Sequence, residues 1–145
     1  GVINLYNGLK QNNNEMIISS YELWGFKNLN KDLIETLNIW ANFIYGPIID
    51  NRNRTVADGI KPEMYGRKEA FNVYQLLKKI GPVEIPREFV FMDRAAIGLG
   101  SVFLHLNANL NLHNLFEEAI SGFDAESLLI KQTEIFEKTG VDYGH

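Results

Sequence analysis

The 145-residue chain contains no cysteine. This absence excludes disulfide bonds, cysteine–zinc sites and thiol catalysis, and it fits a reducing compartment. Basic residues are also in the minority, since 14 Lys and Arg against 18 Asp and Glu give a formal charge of -4. Such a chain offers no broad basic surface to a phosphate backbone, so we expect no nucleic-acid partner.

Targeting and membrane signals are also lacking. The first ten residues, GVINLYNGLK, have neither the basic start nor the apolar run of a secretory leader. They begin without Met, so we expect the chain to be a piece of a longer protein. The stretch 95–116 has no Asp, Glu, Lys or Arg, but its second half holds two His and four Asn. These side chains are costly in hydrocarbon unless they find partners, so we predict no transmembrane segment.

Hydrophobic residues, by contrast, make up 46% of the chain, and aromatic residues make up 12%. This composition is typical of a globular protein, and the length fits one domain over residues 1–145. Apolar residues recur at spacings of three and four, and no sustained alternation of period two is present. We therefore predict an all-α fold, a compact bundle of about six helices. In chain order the helices are predicted within 12–26, from 30 to 46, over about 63–79, over 87–106, from about 111, and from 124 to 140.

The fourth predicted helix, REFVFMDRAAIGLGSVFLHL, is apolar over most of its circumference. We expect it to be the largely buried central helix of the bundle. Gly98 and Gly100 each destabilise a helix relative to alanine. We therefore expect neighbouring backbones to pack closely against them and offset this cost. A dinucleotide-binding loop is disfavoured, since Phe103 stands where the third glycine belongs and no strand precedes it. Asp93 and Arg94 are expected to pair with other segments.

Residues 86–118, PREFVFMDRAAIGLGSVFLHLNANLNLHNLFEE, resemble the C-terminal signature of the UbiB/AarF/ADCK family. Its members are atypical kinase-like proteins associated with ubiquinone (coenzyme Q) biosynthesis. Upstream, LYNGLKQNNNEMIISSYELWGF and LIETLNIWANFIYGPI are similar to the helical region after the metal site in bacterial members. Leu112 departs from the family pattern, in which Trp follows Asn111. The signature residues expected to have structural roles are Arg87, Phe89, Met92, Asp93, Arg94, Gly98, Gly100 and Phe103.

The resemblance implies a fold like the C-terminal part of a protein-kinase-like C-lobe. The family's chemistry depends on K-x-G-Q, E-x-D and D-F-G motifs, and none of them occurs here. No catalytic, cofactor-binding or metal-binding residue therefore carries over, and ATP and Mg²⁺ are expected only in a portion N-terminal to Gly1. That portion is the implied partner, and a lipid or quinone-pathway ligand is a further candidate. The implied location is cytoplasmic, with a peripheral position at the inner membrane left open; the alternative function is a free-standing helical protein-interaction module.

Two other groups of residues are candidate sites. His113 and Glu117, at i and i+4, have the spacing of helical metal ligands. A third ligand would have to come from Glu118, His105 or His145, so a solvated helix face is favoured; His105 is expected to be a hydrogen-bonded structural histidine. The basic segment 51–68 could bind acidic lipid headgroups or the kinase-like portion, although an ordinary exposed loop is favoured. Its basic residues are Arg52, Arg54, Lys61, Arg67 and Lys68.

Overall fold

The computed structural model describes residues 1–140, and its regular elements in this range are helical. The seven α-helices are α1 (Val2–Gln11), α2 (Asn14–Leu23), α3 (Lys31–Ile49), α4 (Arg67–Ile80), α5 (Arg87–His105), α6 (Leu112–Ile120) and α7 (Ala125–Thr139). A 3₁₀ turn, Pro62–Met64, precedes α4, and an isolated antiparallel bridge joins Arg54 to Leu110. The all-α prediction is confirmed. Within residues 1–140, no helix is both long and apolar enough to span a bilayer.

Side-chain caps define where four of the helices begin. Asn13 accepts hydrogen bonds from the amides of Glu15 and Met16, and Asn30 accepts one from Leu33. The same arrangement begins α6 at Asn111 and α7 at Asp124. Each cap satisfies at least one of the amide groups that the first turn leaves without a partner, and contributes about 1 kcal/mol. The predicted helix starts at these positions are confirmed.

The structure has one helix, α1, that the sequence pattern does not predict. Its sequence is interrupted by asparagines and Gly8, so its apolar face is difficult to recognise. Gly8 is required because α1 and α2 form a tight hairpin. A Cβ at this position would lie 2.9 Å from Cγ1 of Ile17. Asn12 closes the hairpin in the left-handed conformation, with its amide donating to the carbonyls of Gly8 and Leu9.

The predicted end of the second helix at Gly46 and Pro47 is also wrong, since α3 continues through Pro47 to Ile49. Proline removes one backbone donor and usually kinks a helix interior. Here it stands in the last turn and its side chain is buried, so packing offsets the missing hydrogen bond. The amide of Asp50 closes the helix on the Gly46 carbonyl.

The core is formed where α1, α2 and α3 meet, and α3 packs against three other helices. It contacts α1, α4 and α6. The buried core cluster consists of Leu5, Tyr6, Ile17, Tyr21, Phe26, Ala41 and Tyr45. The buried central helix of the fold is therefore α3.

The prediction that the fourth helix is largely buried is wrong. None of the 19 residues of α5 is buried, and Leu99 and Leu106 are 60% and 70% exposed. The prediction of close packing at Gly98 and Gly100 is also wrong, because a Cβ at either position would have no atom within 4 Å. The helix contacts the rest of the molecule along one side, and its second apolar side faces outward. The sequence pattern shows how much of a helix is apolar, but not what covers it.

Candidate functional site

The side of α5 that faces the protein lies over Trp40 of α3. The indole Nε1 of Trp40 donates a hydrogen bond to Oδ1 of Asp93 at 2.6 Å. Asp93 is half-buried, and a hydrogen bond to a carboxylate is about twice as strong as one between neutral groups. Asp93 thus links α5 to α3, as predicted, whereas Arg94 is exposed and the predicted internal pairing is wrong for it.

Apolar space surrounds this hydrogen bond, and we call it the Trp40 cleft. It comprises three cavities whose walls all include Trp40, with volumes of about 160, 390 and 290 Å³. The 160 Å³ cavity lies between α5 and the helices α1, α2 and α3, whereas the other two involve α4 or the segment before it. The helix α5 therefore covers the cleft without filling it.

The wall of the 160 Å³ cavity is aromatic and aliphatic, and its two tyrosine hydroxyls and its carboxylate are already paired. Tyr21 donates its hydroxyl to Oδ1 of Asn38 at 2.7 Å, and Tyr45 donates to the carbonyl of Val2 at 3.5 Å. Burial raises the pKa of both tyrosine hydroxyls well above the ordinary value, so both remain neutral donors. Asp93, the charged group in this wall, accepts from Trp40.

Three residues of the sequence signature meet in this wall: Phe89, Met92 and Asp93. The ring of Phe89 packs edge-on against Phe26 at a centroid distance of 5.0 Å and lies 5.5 Å from the ring of Trp24. The remaining signature residues are dispersed. Arg87 lies over the ring of Phe91, Gly98 is exposed, Phe103 is half-buried, and Gly100 lines the 390 Å³ cavity.

A second polar cluster joins α1 to α6 and contains both candidate metal ligands. Tyr6, which is fully buried, donates its hydroxyl to the carboxylate of Glu117. Lys10 Nζ donates to the same carboxylate oxygen at 2.6 Å. Nδ1 of His113 lies 3.0 Å from the carbonyl of Ile48 and 3.2 Å from the Tyr6 hydroxyl. Because a carbonyl only accepts, the contact with Ile48 assigns the proton to Nδ1.

The charges in this cluster support one another. The hydrogen bond from Lys10, followed by that from Tyr6, lowers the pKa of the Glu117 carboxyl. The same contact with Glu117 raises the pKa of Lys10, and burial followed by the bond to Glu117 raises that of the Tyr6 hydroxyl. The cluster is thus a carboxylate held by an ammonium and a phenol, which fastens α1 to α6.

This geometry does not favour the metal hypothesis. Within residues 1–140, no group of three or more His, Asp or Glu side chains could hold a metal ion. His105 instead bonds within its own helix, with Nδ1 2.7 Å from the Ser101 carbonyl, which supports its predicted structural role. His145 lies outside the described residues. The solvated-face interpretation is wrong for His113, which is only 8% exposed because α6 packs against Tyr6 of the unpredicted helix α1.

Two of the five basic residues of the predicted loop form ion pairs within the loop. Arg54 Nη1 lies 2.8 Å from Oδ2 of Asp50, and Arg52 pairs with both Asp50 and Asp58. The guanidinium of Arg54 also donates to the carbonyls of Thr55 and Val56, so it fastens its own loop. The other three basic residues, Lys61, Arg67 and Lys68, are exposed. Arg52 is exposed as well but is paired with carboxylates, so three of the five basic residues are exposed outside these ion pairs.

No family model, curated protein or solved structure matches this chain. Membership of a family therefore stays a prediction that depends on residues 86–118.

Proposed function

We propose that the chain is the non-catalytic, helical C-terminal region of a UbiB-like atypical kinase or ATPase linked to ubiquinone biosynthesis. In this role it supports an ATP-binding core that lies N-terminal to Gly1, and its fold is that of the C-terminal part of a kinase-like C-lobe. ATP and Mg²⁺ bind in that core, not in this chain. The proposal is supported by the resemblance of residues 86–118 and, above all, by the outward side of α5.

The outward side of α5 carries a continuous apolar row, which we call the outer stripe. It is turned away from the Trp40 cleft by about a third of a helical revolution, as follows from about 100° per residue. Leu99, Val102 and Leu106 are between 53% and 70% exposed, and Phe91 is 55% exposed. The outer stripe consists of Phe91, Ala95, Gly98, Leu99, Val102 and Leu106.

Glu88 lies at the N-terminal end of the outer stripe and Asp93 faces Trp40, whereas the other polar residues of α5 form a narrow ridge of Arg87, Arg94, Ser101 and His105. A helix with two apolar sides is typical of a position between two layers of protein. The helix α3 forms one layer, and the proposed ATP-binding core forms the other. Covering the large side chains of the outer stripe would contribute about 1.5–3 kcal/mol for each one that becomes fully buried.

The competing function is a free-standing helical module that binds another protein through the same stripe. The coding sequence upstream of Gly1 distinguishes the two. K-x-G-Q and D-F-G motifs upstream would establish the kinase-like parent, whereas a start codon immediately before Gly1 would contradict it. A thermal-shift measurement with Mg-ATP adds a second criterion, because clear stabilisation of the chain alone would contradict a nucleotide site located elsewhere.

The docking of the outer stripe is tested with Leu99→Lys in the chain alone and in the parent protein. Leu99 is 60% exposed, so we expect the melting temperature of the isolated chain to change little. In the parent the introduced ammonium would be buried without a partner, and the melting temperature should fall by several degrees.

Leu23→Lys is the matched control, because Leu23 is a leucine of similar exposure, 63%, on α2. It should leave the melting temperatures of the chain and of the parent unchanged. Equal effects of the two substitutions in the parent would refute the proposed docking of α5.

A further inference from the structure

We infer that the 160 Å³ cavity of the Trp40 cleft is a binding site for a small, uncharged, apolar molecule of about one ring in size. The inference is independent of the ATP-binding core, because the cavity wall is formed within this chain. It rests on the volume of the cavity, the pairing of its polar groups and the way its wall is exposed.

The volume is in the range of a small organic ligand. A single water molecule needs only about 10–15 Å³ of such space, whereas an apolar cavity of about 150 Å³ in another protein accepts benzene. At about 160 Å³, the cavity is thus large enough for a monocyclic hydrocarbon. It is too small for a folded peptide segment or a complete lipid.

The wall favours an apolar occupant over water. A buried water molecule typically needs two to four polar partners. The tyrosine hydroxyls of the wall already donate to Asn38 and to the Val2 carbonyl, and Asp93 already accepts from Trp40. Most of the remaining wall is hydrocarbon, including Leu37, Ile44 and Ala96. An anionic ligand is disfavoured because it would lose its hydration beside the Asp93 carboxylate.

The wall also shows where a ligand can enter. Trp24, which caps α2, and Phe89 of α5 are both only half-buried, and their rings pack against each other at a centroid distance of 5.5 Å. The covering helix α5 has no buried residue, so we expect entry at this contact, where rotation of the two side chains would open the cavity to solvent. A ligand can therefore reach the cavity without disturbing the buried core of α1, α2 and α3.

Methionine NMR with toluene tests the site in the unaltered chain. The chain has three methionines, Met16, Met64 and Met92, and of these Met92 lies in the cavity wall. With ¹³C-methyl labelling, toluene should shift the Met92 resonance in a saturable manner and leave that of the exposed Met64 in place. Benzoate, which adds a carboxylate to the same ring, should shift neither. Absence of a saturable Met92 shift, or equal shifts at all three methionines, would overturn the inference.

Cavity-filling variants provide an independent readout. Ala96→Leu places a larger side chain in the wall, and we expect at least a tenfold loss of toluene affinity in calorimetry. Ala95→Leu makes the same change one residue away, on the exposed outer stripe, and should retain wild-type affinity. Both tryptophans of the chain line the cavity, so their fluorescence should report binding in the wild type and in the Ala95 variant. Unchanged affinity in the Ala96 variant would assign toluene to another location.

Discussion

The substitution Tyr6→Phe isolates one hydroxyl in the fastening between α1 and α6. The ring of Tyr6 is fully buried and packs 4.8 Å from that of Phe116, and phenylalanine preserves this packing. The hydroxyl is lost, together with its hydrogen bond to the carboxylate of Glu117 and its contact with Nδ1 of His113. Only the polar part of the contact between the two helices is therefore changed.

The expected cost follows from what the remaining groups retain. Hydrogen bonds to charged groups contribute about 1.5–3 kcal/mol. Glu117 keeps Lys10 and is 41% exposed, and His113 keeps the Ile48 carbonyl, so neither is left without a partner. The value should therefore lie at the low end, and we expect the free energy of unfolding to fall by about 1.5 kcal/mol.

Urea denaturation at pH 7, followed by far-ultraviolet circular dichroism, measures this change. Tyr74→Phe is the matched control, since Tyr74 is 61% exposed on α4 and its variant should differ from wild type by less than about 0.5 kcal/mol. A double-mutant cycle with Glu117→Gln adds a direct measure of the bond. We expect a coupling energy of about 1 kcal/mol between positions 6 and 117. Strict additivity, or a Tyr6 variant as stable as the control, would refute the assigned network.

Two further predictions concern the helix termini and acid stability. Because the pKa of Glu117 is lowered on folding, its contribution is fully present above the ordinary value of 4.5 and is lost as the pH falls through the lower folded value. Glu117→Gln should therefore make the free energy of unfolding less dependent on pH below about pH 4.5 and leave its slope near neutrality unchanged. A variant whose stability falls with acid as steeply as that of the wild type would contradict this. Asn30→Ala should cost about 1 kcal/mol in urea denaturation through loss of the α3 cap, whereas Asn30→Asp, which restores an acceptor, should lie within a few tenths of wild type.

The helix starts could be predicted because capping is a local property. Asn30 and Asp124 bond to amides three residues ahead, so the sequence contains both partners of each interaction. The pairing of Trp40 with Asp93 spans 53 residues, and no local pattern relates them. The sequence predicts the helix that carries Trp40, but the polar partner of its indole depends on how the helices pack.

The errors at α5 and His113 have one physical origin. Periodicity identifies which side of a helix is apolar, whereas burial depends on elements elsewhere in the chain. Because the sequence pattern does not predict α1, it does not reveal Tyr6 as the partner that buries His113. The sequence pattern predicts that this chain buries the whole apolar surface of α5, whereas the structure covers only one side of it. Nothing in residues 1–140 explains the glycine at position 98, which has open space around it.

The hydrogen bond between Trp40 and Asp93 has a consequence for the rotational setting of α5. Hydrocarbon contacts are non-directional, and a helix with two apolar sides could turn about its axis with little loss of burial. A rotation by one residue, about 100°, would remove Asp93 from the indole and leave its half-buried carboxylate without this donor. The bond therefore selects one rotational setting among several of similar apolar burial. In doing so, it determines which row of side chains α5 presents to the outside.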